Sequence, residues 1–245
     1  MGMGFQDDRG KRDEERDRER ARNGVRGLRN GNMGQRSAFG GPTLIPPEVR
    51  RLQETINPVH FECNPKAARF FVIKSYSEDD VHKAIKYGVW ASTDTGNRRL
   101  DTAYRELQGR GPVFLFYSVN ASGQFSGMAQ MESALDYTNK FGCWAQDKWS
   151  GSFMIKWTFI KDIPNNQFRH IVLANNEGKP VTNSRDTQEV YFEQGKEMLH
   201  IFHTYKSKTS ILDDFGFYDK RQELMELRTQ MAAHGMPPPG PPQPI

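Results

Sequence analysis

Pro112-Val-Phe-Leu-Phe-Tyr-Ser-Val119 carries apolar residues at consecutive positions, so a strand here is apolar on both faces. Successive side chains of a strand point to opposite sides, and such a strand must therefore lie in the middle of a sheet covered above and below. The neighbouring patterns supply the cover. Phe153, Ile155, Trp157 and Phe159 alternate with Met154, Lys156 and Thr158, the period of a half-buried strand that places Trp157 in the core. Phe70-Phe-Val-Ile73 reads as a short buried strand, Gln124 to Tyr137 as a longer one after the turn Asn120-Ala-Ser-Gly123, and His170-Ile-Val-Leu173 as another.

Helical signals fall between these runs. Ser77 reads as an N-cap, with Glu78, Asp79 and Asp80 where the helix dipole favours anions, and Val81, Ala84 and Ile85 keep the period. Asp94-Thr-Gly96 reads as a turn before an amphipathic helix marked by Leu100, Ala103, Tyr104 and Leu107 and ending at Gly109. Phe192, Gly195, Leu199 and Phe202 mark a further helix, and Leu224, Leu227 and Met231 the last. Strands interspersed with helices predict a single α/β (α+β) domain over residues 58–232.

Only 36% of the 245 residues are hydrophobic, less than a globular chain of this length needs throughout, so part of it is expected outside the core. Residues 1–57 read as a disordered charged and Gly/Arg-rich arm, since little there can offset the entropy of ordering. Within it, the run from Pro46 to Ile56 reads as a short helix at the domain's entrance. Residues 233–245 read as a disordered proline-rich tail. The net charge of +4 favours a polyanionic partner without defining one. No apolar run has the length of a membrane span, and no membrane partner is expected. Two cysteines, Cys63 and Cys143, are too few for a disulfide framework or a zinc site, which points to a reducing compartment.

Enzyme signatures are missing where they would be sought. His200 and His203 stand at helical spacing but no further ligand follows. Asp213 and Asp214 are better read as caps of the following helix than as an acid/base pair. There is no phosphate-binding glycine loop and no nucleophile elbow. No catalytic residue, cofactor or metal is expected.

Tryptophan tells more. Trp144 and Trp149 lie five apart in the polar segment Phe141-Gly-Cys-Trp-Ala-Gln-Asp-Lys-Trp-Ser-Gly151, and Trp90 sits among small polar residues in Gly88-Val-Trp-Ala-Ser-Thr93. Three tryptophans outside the core runs suggest one shared aromatic site for a methylated cation, a proline-rich peptide or a nucleobase. Lys74, Arg98, Arg99 and Arg185 are candidate phosphate donors around it, and Asp80 is the carboxylate a methyl-lysine cage would use. Lys74, Ser75 and Tyr76 fall at a strand-to-helix corner, where scaffolds display functional side chains.

Longer motifs narrow the choice. Lys74-Ser-Tyr-Ser-Glu-Asp-Asp80, Lys86-Tyr-Gly-Val-Trp-Ala-Ser-Thr93, Gly96-Asn-Arg-Arg-Leu-Asp-Thr-Ala-Tyr104, Ser118-Val-Asn-Ala-Ser-Gly123, Trp144-Ala-Gln-Asp-Lys-Trp149, Lys179-Pro-Val-Thr-Asn-Ser-Arg-Asp-Thr-Gln-Glu189 and Asp213-Asp-Phe215 occur in this order. Together they resemble a YTH domain, in particular the cytosolic DF type and its plant ECT relatives, from about Phe70 to Arg221. The resemblance implies a central, partly barrel-like β-sheet flanked by helices, and a reader of N6-methyladenosine in single-stranded mRNA rather than an enzyme.

By the same resemblance, Trp90, Trp144 and Trp149 are the cage around the methylated base. Tyr76 and Asp80, with Lys74 and Ser75 beside them, lie along the base edge, and Asn120 helps to hold the base. Ala91 offers a backbone carbonyl to the base N6–H where animal DF proteins often have cysteine. Lys74, Arg99 and Arg185, with Asp186 in the same motif, match the groove for flanking phosphates. The resemblance further implies a cytoplasmic protein acting on mRNA stability or translation, with mRNA decay or translation factors as candidate partners and no DNA. A methyl-lysine or peptide module using the same cage is the alternative. The arm here is charged where DF-type proteins carry a Gln/Pro/Asn-rich region.

Overall fold

The computed structural model describes residues 47–138 and 151–234. The arm up to residue 46, the tail from residue 235, and the segment 139–150 with Cys143, Trp144 and Trp149 lie outside the described residues.

Six strands form one curled, half-barrel sheet in the order β2-β5-β4-β3-β1-β8. They are β1 (Arg69–Ser75), β2 (Val89–Trp90), β3 (Val113–Val119), β4 (Gln124–Met131), β5 (Phe153–Pro164) and β8 (Gln188–Val190). Val172–Leu173 (β6) and Lys179–Pro180 (β7) form a separate two-stranded ladder. The expected central strand is β3, buried at every position, with β1 parallel on one side and β4 antiparallel on the other. Register shifts between β4 and β5 at Phe125/Gly127 and Met128/Ala129 bend the sheet, as bulges do.

Helices cover both faces: α1 (Pro47–Thr55), α2 (Glu78–Tyr87), α3 (Asp94–Leu107), α4 (Phe192–Thr204) and α5 (Phe215–Ala233). One face packs Trp90, Tyr117 and Trp157 with Val81, Leu100 and Phe215. The opposite face is a phenylalanine core of Phe70, Phe114, Phe116, Phe125, Phe159, Phe168 and Phe202. Trp157 is in the core as its strand period predicts, its indole N–H donating to the Ala84 carbonyl at 3.1 Å. Ser77 caps α2, its hydroxyl accepting from the Asp80 amide.

Several local readings change. Packed structure begins before residue 58, because α1 buries Val49 in the core. Asp94–Gly96 is the first turn of α3 and not a separate turn: the Thr93 hydroxyl accepts from the Gly96 amide, so the cap precedes the expected start. Beyond Met131 the expected long strand keeps one isolated bridge, Asp136 to Ser152. His170–Leu173 contributes a ladder of two residues, since a 3-10 turn follows at Ala174. Asp213 does cap, but on the 3-10 turn before α5, its carboxylate accepting from the Ser210 amide. Leu224 and Leu227 face outward, because the side of α5 holding Phe215, Tyr218 and Gln222 is the one turned to the domain.

Candidate nucleic-acid interface

β1 and β3 run parallel, so their C-terminal ends emerge together at one edge of the sheet. The Asn120 amide donates to the Ser75 carbonyl at 2.9 Å and ties the two ends. Ser75 is buried, its hydroxyl donating to the Ser77 carbonyl at 2.8 Å, which shapes the bend into α2. Tyr76, at the apex of that bend, is 46% exposed. Asp80 follows in the first turn of α2 and accepts from the Ser77 hydroxyl at 2.9 Å. Burial raises its carboxyl above the ordinary range, against the pull of Ser77. Lys74, Ser75, Tyr76, Asp80 and Asn120 thus share one corner.

A second chain segment is fastened to this corner by Asp186. Its carboxylate accepts from the Lys74 amide at 2.9 Å and from the Ser92 hydroxyl at 2.5 Å. Burial raises the Asp186 carboxyl, opposed first by Ser92 and then by the Lys74 amide. Asp186 therefore points inward as a clamp between β1 and the segment of Trp90 and Ala91, away from the phosphate-facing position expected beside Arg185. Around it the packing is close. A Cβ on Gly96 would stand 2.3 Å from the Ser92 hydroxyl and 2.9 Å from the Thr187 methyl, so only glycine fits. Thr187 itself is buried with φ at +55°, an unusual conformation for a β-branched residue. The Asn97 carboxamide completes the fastening, accepting from the Ser92 amide at 2.8 Å.

Trp90 differs from its expected place in a polar loop. It lies on the edge strand β2, paired with Phe153, is 5% exposed, and sets its ring edge-on to Tyr117 with centroids 5.0 Å apart. A two-residue strand is too short to show a period, which is why the sequence reads as a loop. Ala91 beside it is also buried.

The basic residues divide. Arg185 is exposed. Arg99 is exposed too, and its guanidinium donates to the Thr187 carbonyl at 2.9 Å, holding it beside the Asp186 clamp. Lys74 is half-buried, its ammonium 3.1 Å from the Ser118 hydroxyl and 5.7 Å above the Phe125 ring. Burial lowers its pKa to about 8 against the opposing pull of Asp186. Arg98 pairs with Asp94 along α3. Ser92, Asn97 and Thr187 were not singled out as site residues. The Thr93-x-x-Gly96 spacing marks the helix cap between Ser92 and Asn97, whereas nothing local marks Thr187, whose partner Arg99 is 88 positions away.

The mixed sheet thus gathers Lys74, Tyr76, Asp80 and Asn120 at the ends of two parallel strands, with the two cores behind them. The YTH (YT521-B-like) domain model matches residues 68–203, and the chain belongs to that family. It is 53% identical over 207 residues to human YTH domain-containing family protein 2, covering 83% of this chain and 36% of that protein. To human YTH domain-containing family protein 3 it is 54% identical over 192 residues, covering 78% and 33% respectively. The chain thus spans about a third of the length of these curated relatives. Among solved structures, the Zygosaccharomyces rouxii MRB1 YTH domain in complex with N6-methyladenosine RNA shares 38% identity at a TM-score of 0.57, covering 62% of this chain and 96% of that one. The Pho92 YTH domain in complex with m6A shares 38% identity at 0.61, covering 64% and 98%.

Proposed function

We propose that this chain binds N6-methyladenosine in single-stranded RNA and reads it without chemical change. The observation that carries the reading is the corner itself: Tyr76, Asp80 and Asn120 grouped at the ends of β1 and β3, with the Trp90 segment fastened to them through Asp186. Two solved relatives of that fold hold methylated adenosine. Trp144 and Trp149 supply the other cage walls in this reading. Lys74, Arg99 and Arg185 supply phosphate contacts.

The chemistry follows from neutrality. N6-methyladenosine carries no charge, so a cage for it needs apolar area and π faces more than a carboxylate. Burying the methyl gains about 0.8 kcal/mol. Unmethylated adenosine would place a second N6–H in the cage without an acceptor, at a cost of ~1–3 kcal/mol. The sum, about 2–4 kcal/mol, is a preference of tens to about a thousandfold. The base must leave its stack to enter, which favours single strands. Phosphate contacts add affinity that falls with salt and does not distinguish the two RNAs. In the cell the reading implies a cytoplasmic binding protein, not an enzyme, acting on mRNA stability or translation together with decay or translation factors.

A paired titration with methylated and plain single-stranded RNA tests this directly. Trp144→Ala is expected to collapse the ratio of the two affinities towards one. Arg185→Glu is expected to weaken both alike and to flatten the salt dependence. Equal affinities for the two RNAs in the unaltered protein, or tighter binding of a trimethyl-lysine peptide, would overturn the proposal.

A further inference from the structure

We infer that α5 is a dimerisation helix, through which two copies of this chain pair in parallel along the stripe Phe217, Leu224, Leu227 and Met231.

Among the described residues, the helix is anchored to the domain by one side. Phe215 and Tyr218 pack against the His82 ring, with centroids 4.2 Å and 5.7 Å away. Tyr218 also hydrogen-bonds Glu78. Asp219 pairs with Lys86 at 2.5 Å, Arg221 with Asp79 at 3.3 Å, and the Gln222 amide donates to the Tyr87 hydroxyl at 2.7 Å. Burial lowers the His82 pKa to about 4, so its 3.5 Å approach to Asp219 joins a neutral ring to a carboxylate. These contacts hold the first two turns of the helix, to Gln222, against α2 and use its inner side.

At about 100° per residue, Phe217, Leu224 and Met231 fall within about 40° of one another on the far side, and Leu227 flanks them. Phe217 is 51% exposed, Leu224 50% and Leu227 44%. The spacing is that of a heptad seam: 217, 224 and 231 as the first apolar position, 227 as the second. Lys220 takes the remaining second position, where a parallel pair sets it against Lys220 of the other copy, a like-charge contact at the exposed end of the seam that lowers the stability of the dimer. A fully polar solvent face would need no such stripe.

Charge selects the occupant. Glu223 borders the seam on one side and Arg228 on the other. In a parallel pair of identical helices, the residue before one heptad faces the residue five further along on the partner. Glu223 of each copy then meets Arg228 of the other, twice over. An antiparallel pair would bring Glu223 against Glu223 and Arg228 against Arg228. The surface is thus complementary to itself in one orientation, which is what a two-fold interface requires. Two heptads are fewer than a free coiled coil needs, but the first turns of this helix are already anchored on its domain through Phe215, Tyr218 and Gln222. A small seam of this kind predicts a weak, concentration-dependent dimer, with a dissociation constant on the order of micromolar.

Sedimentation equilibrium of the full chain across a concentration series tests the inference. The expected result is a monomer–dimer equilibrium that Leu224→Glu weakens at least about tenfold. Leu224 is exposed, so unchanged circular dichroism verifies that the fold survives. Glu223→Arg alone is expected to weaken the dimer severalfold, and Glu223→Arg combined with Arg228→Glu to restore it. A monomer at every concentration, a dimer indifferent to Leu224→Glu, or no recovery in the charge-reversed double variant overturns it.

Discussion

The two faces of the sheet are built from different chemistry. Behind β1, β3 and β4 lies a mass of phenylalanine: Phe70 lies nearly parallel to Phe116 at 6.1 Å, Phe116 to Phe202 at 5.3 Å, and Phe125 tilts against Phe168 at 4.6 Å. None of these rings has a polar atom. The opposite face also packs Phe71, Phe153 and Phe215, but beside them stand Trp90, Tyr117 and Trp157, which carry polar atoms, and the buried polar residues His82, Ser92 and Asn97 lie on the helices and segment that cover it. The phenylalanine face supplies burial, which is non-directional and tolerant of chemistry. The other face fixes orientation where its polar atoms are paired: the Trp157 indole N–H on the Ala84 carbonyl and the Ser92 amide on the Asn97 carboxamide each have few alternative partners.

That contrast can be broken most severely on the hydrocarbon side. Phe202→Ala is expected to cost about 3–5 kcal/mol of stability, seen as a lower urea midpoint, while folded protein keeps its preference for methylated RNA. A selective loss of that preference would mean that the phenylalanine face also positions the site. On the polar side, Asp186→Ala leaves the Lys74 amide and the Ser92 hydroxyl without their acceptor, at about 1–3 kcal/mol. The folded carboxyl is raised above its unfolded value, so its charge lowers stability as pH climbs through that interval, and removing it offsets part of the cost. The methylated-to-plain ratio should fall nonetheless, because the Trp90 segment is released. An equal, salt-sensitive loss for both RNAs would return Asp186 to the phosphate groove.

The smallest effect concerns pH. In the free protein Lys74 loses its proton as pH rises through about 8, so affinity for both RNAs should decline together and the salt slope should shrink by about 0.7. Lys74→Gln should remove that step. Stability moves oppositely: an unfolded lysine keeps its proton to higher pH, near the ordinary 10.5, so the folded state gains as pH rises from about 8 towards that value. Affinity that is level from pH 7 to 9 would show that Lys74 contributes no charge to binding.

What could be read in advance was local. The two-sided apolar run of β3, the alternation of β5 and the Ser77 cap of α2 each depend on residues a few positions apart, and each stands as expected. Readings failed where the partner was distant or the element too short to show a period. Trp90 occupies a strand of two residues, and its neighbour Ser92 is held by a carboxylate 94 positions away. Leu224 and Leu227 show the limit of periodicity: it reveals that a helix has an apolar stripe, but not whether the stripe turns inward.

The reach of the Asp186 clamp also sets an order of assembly. Lys74 and the acceptor of its amide are separated by 112 positions, and β8, which closes the sheet against β1, follows directly after that acceptor. A ribosome emits the chain from its N-terminus at about 5–20 residues per second, so the corner exists for several seconds as an unfastened edge. Early helices and the β3–β4 hairpin can form in that time, whereas the strand pairing of greatest sequence separation comes last and slowest. Recognition is therefore among the final properties this chain acquires as it is made: a nascent domain stalled before Asp186 already contains Tyr76, Asp80 and Trp90 and still lacks the residue that fastens them together.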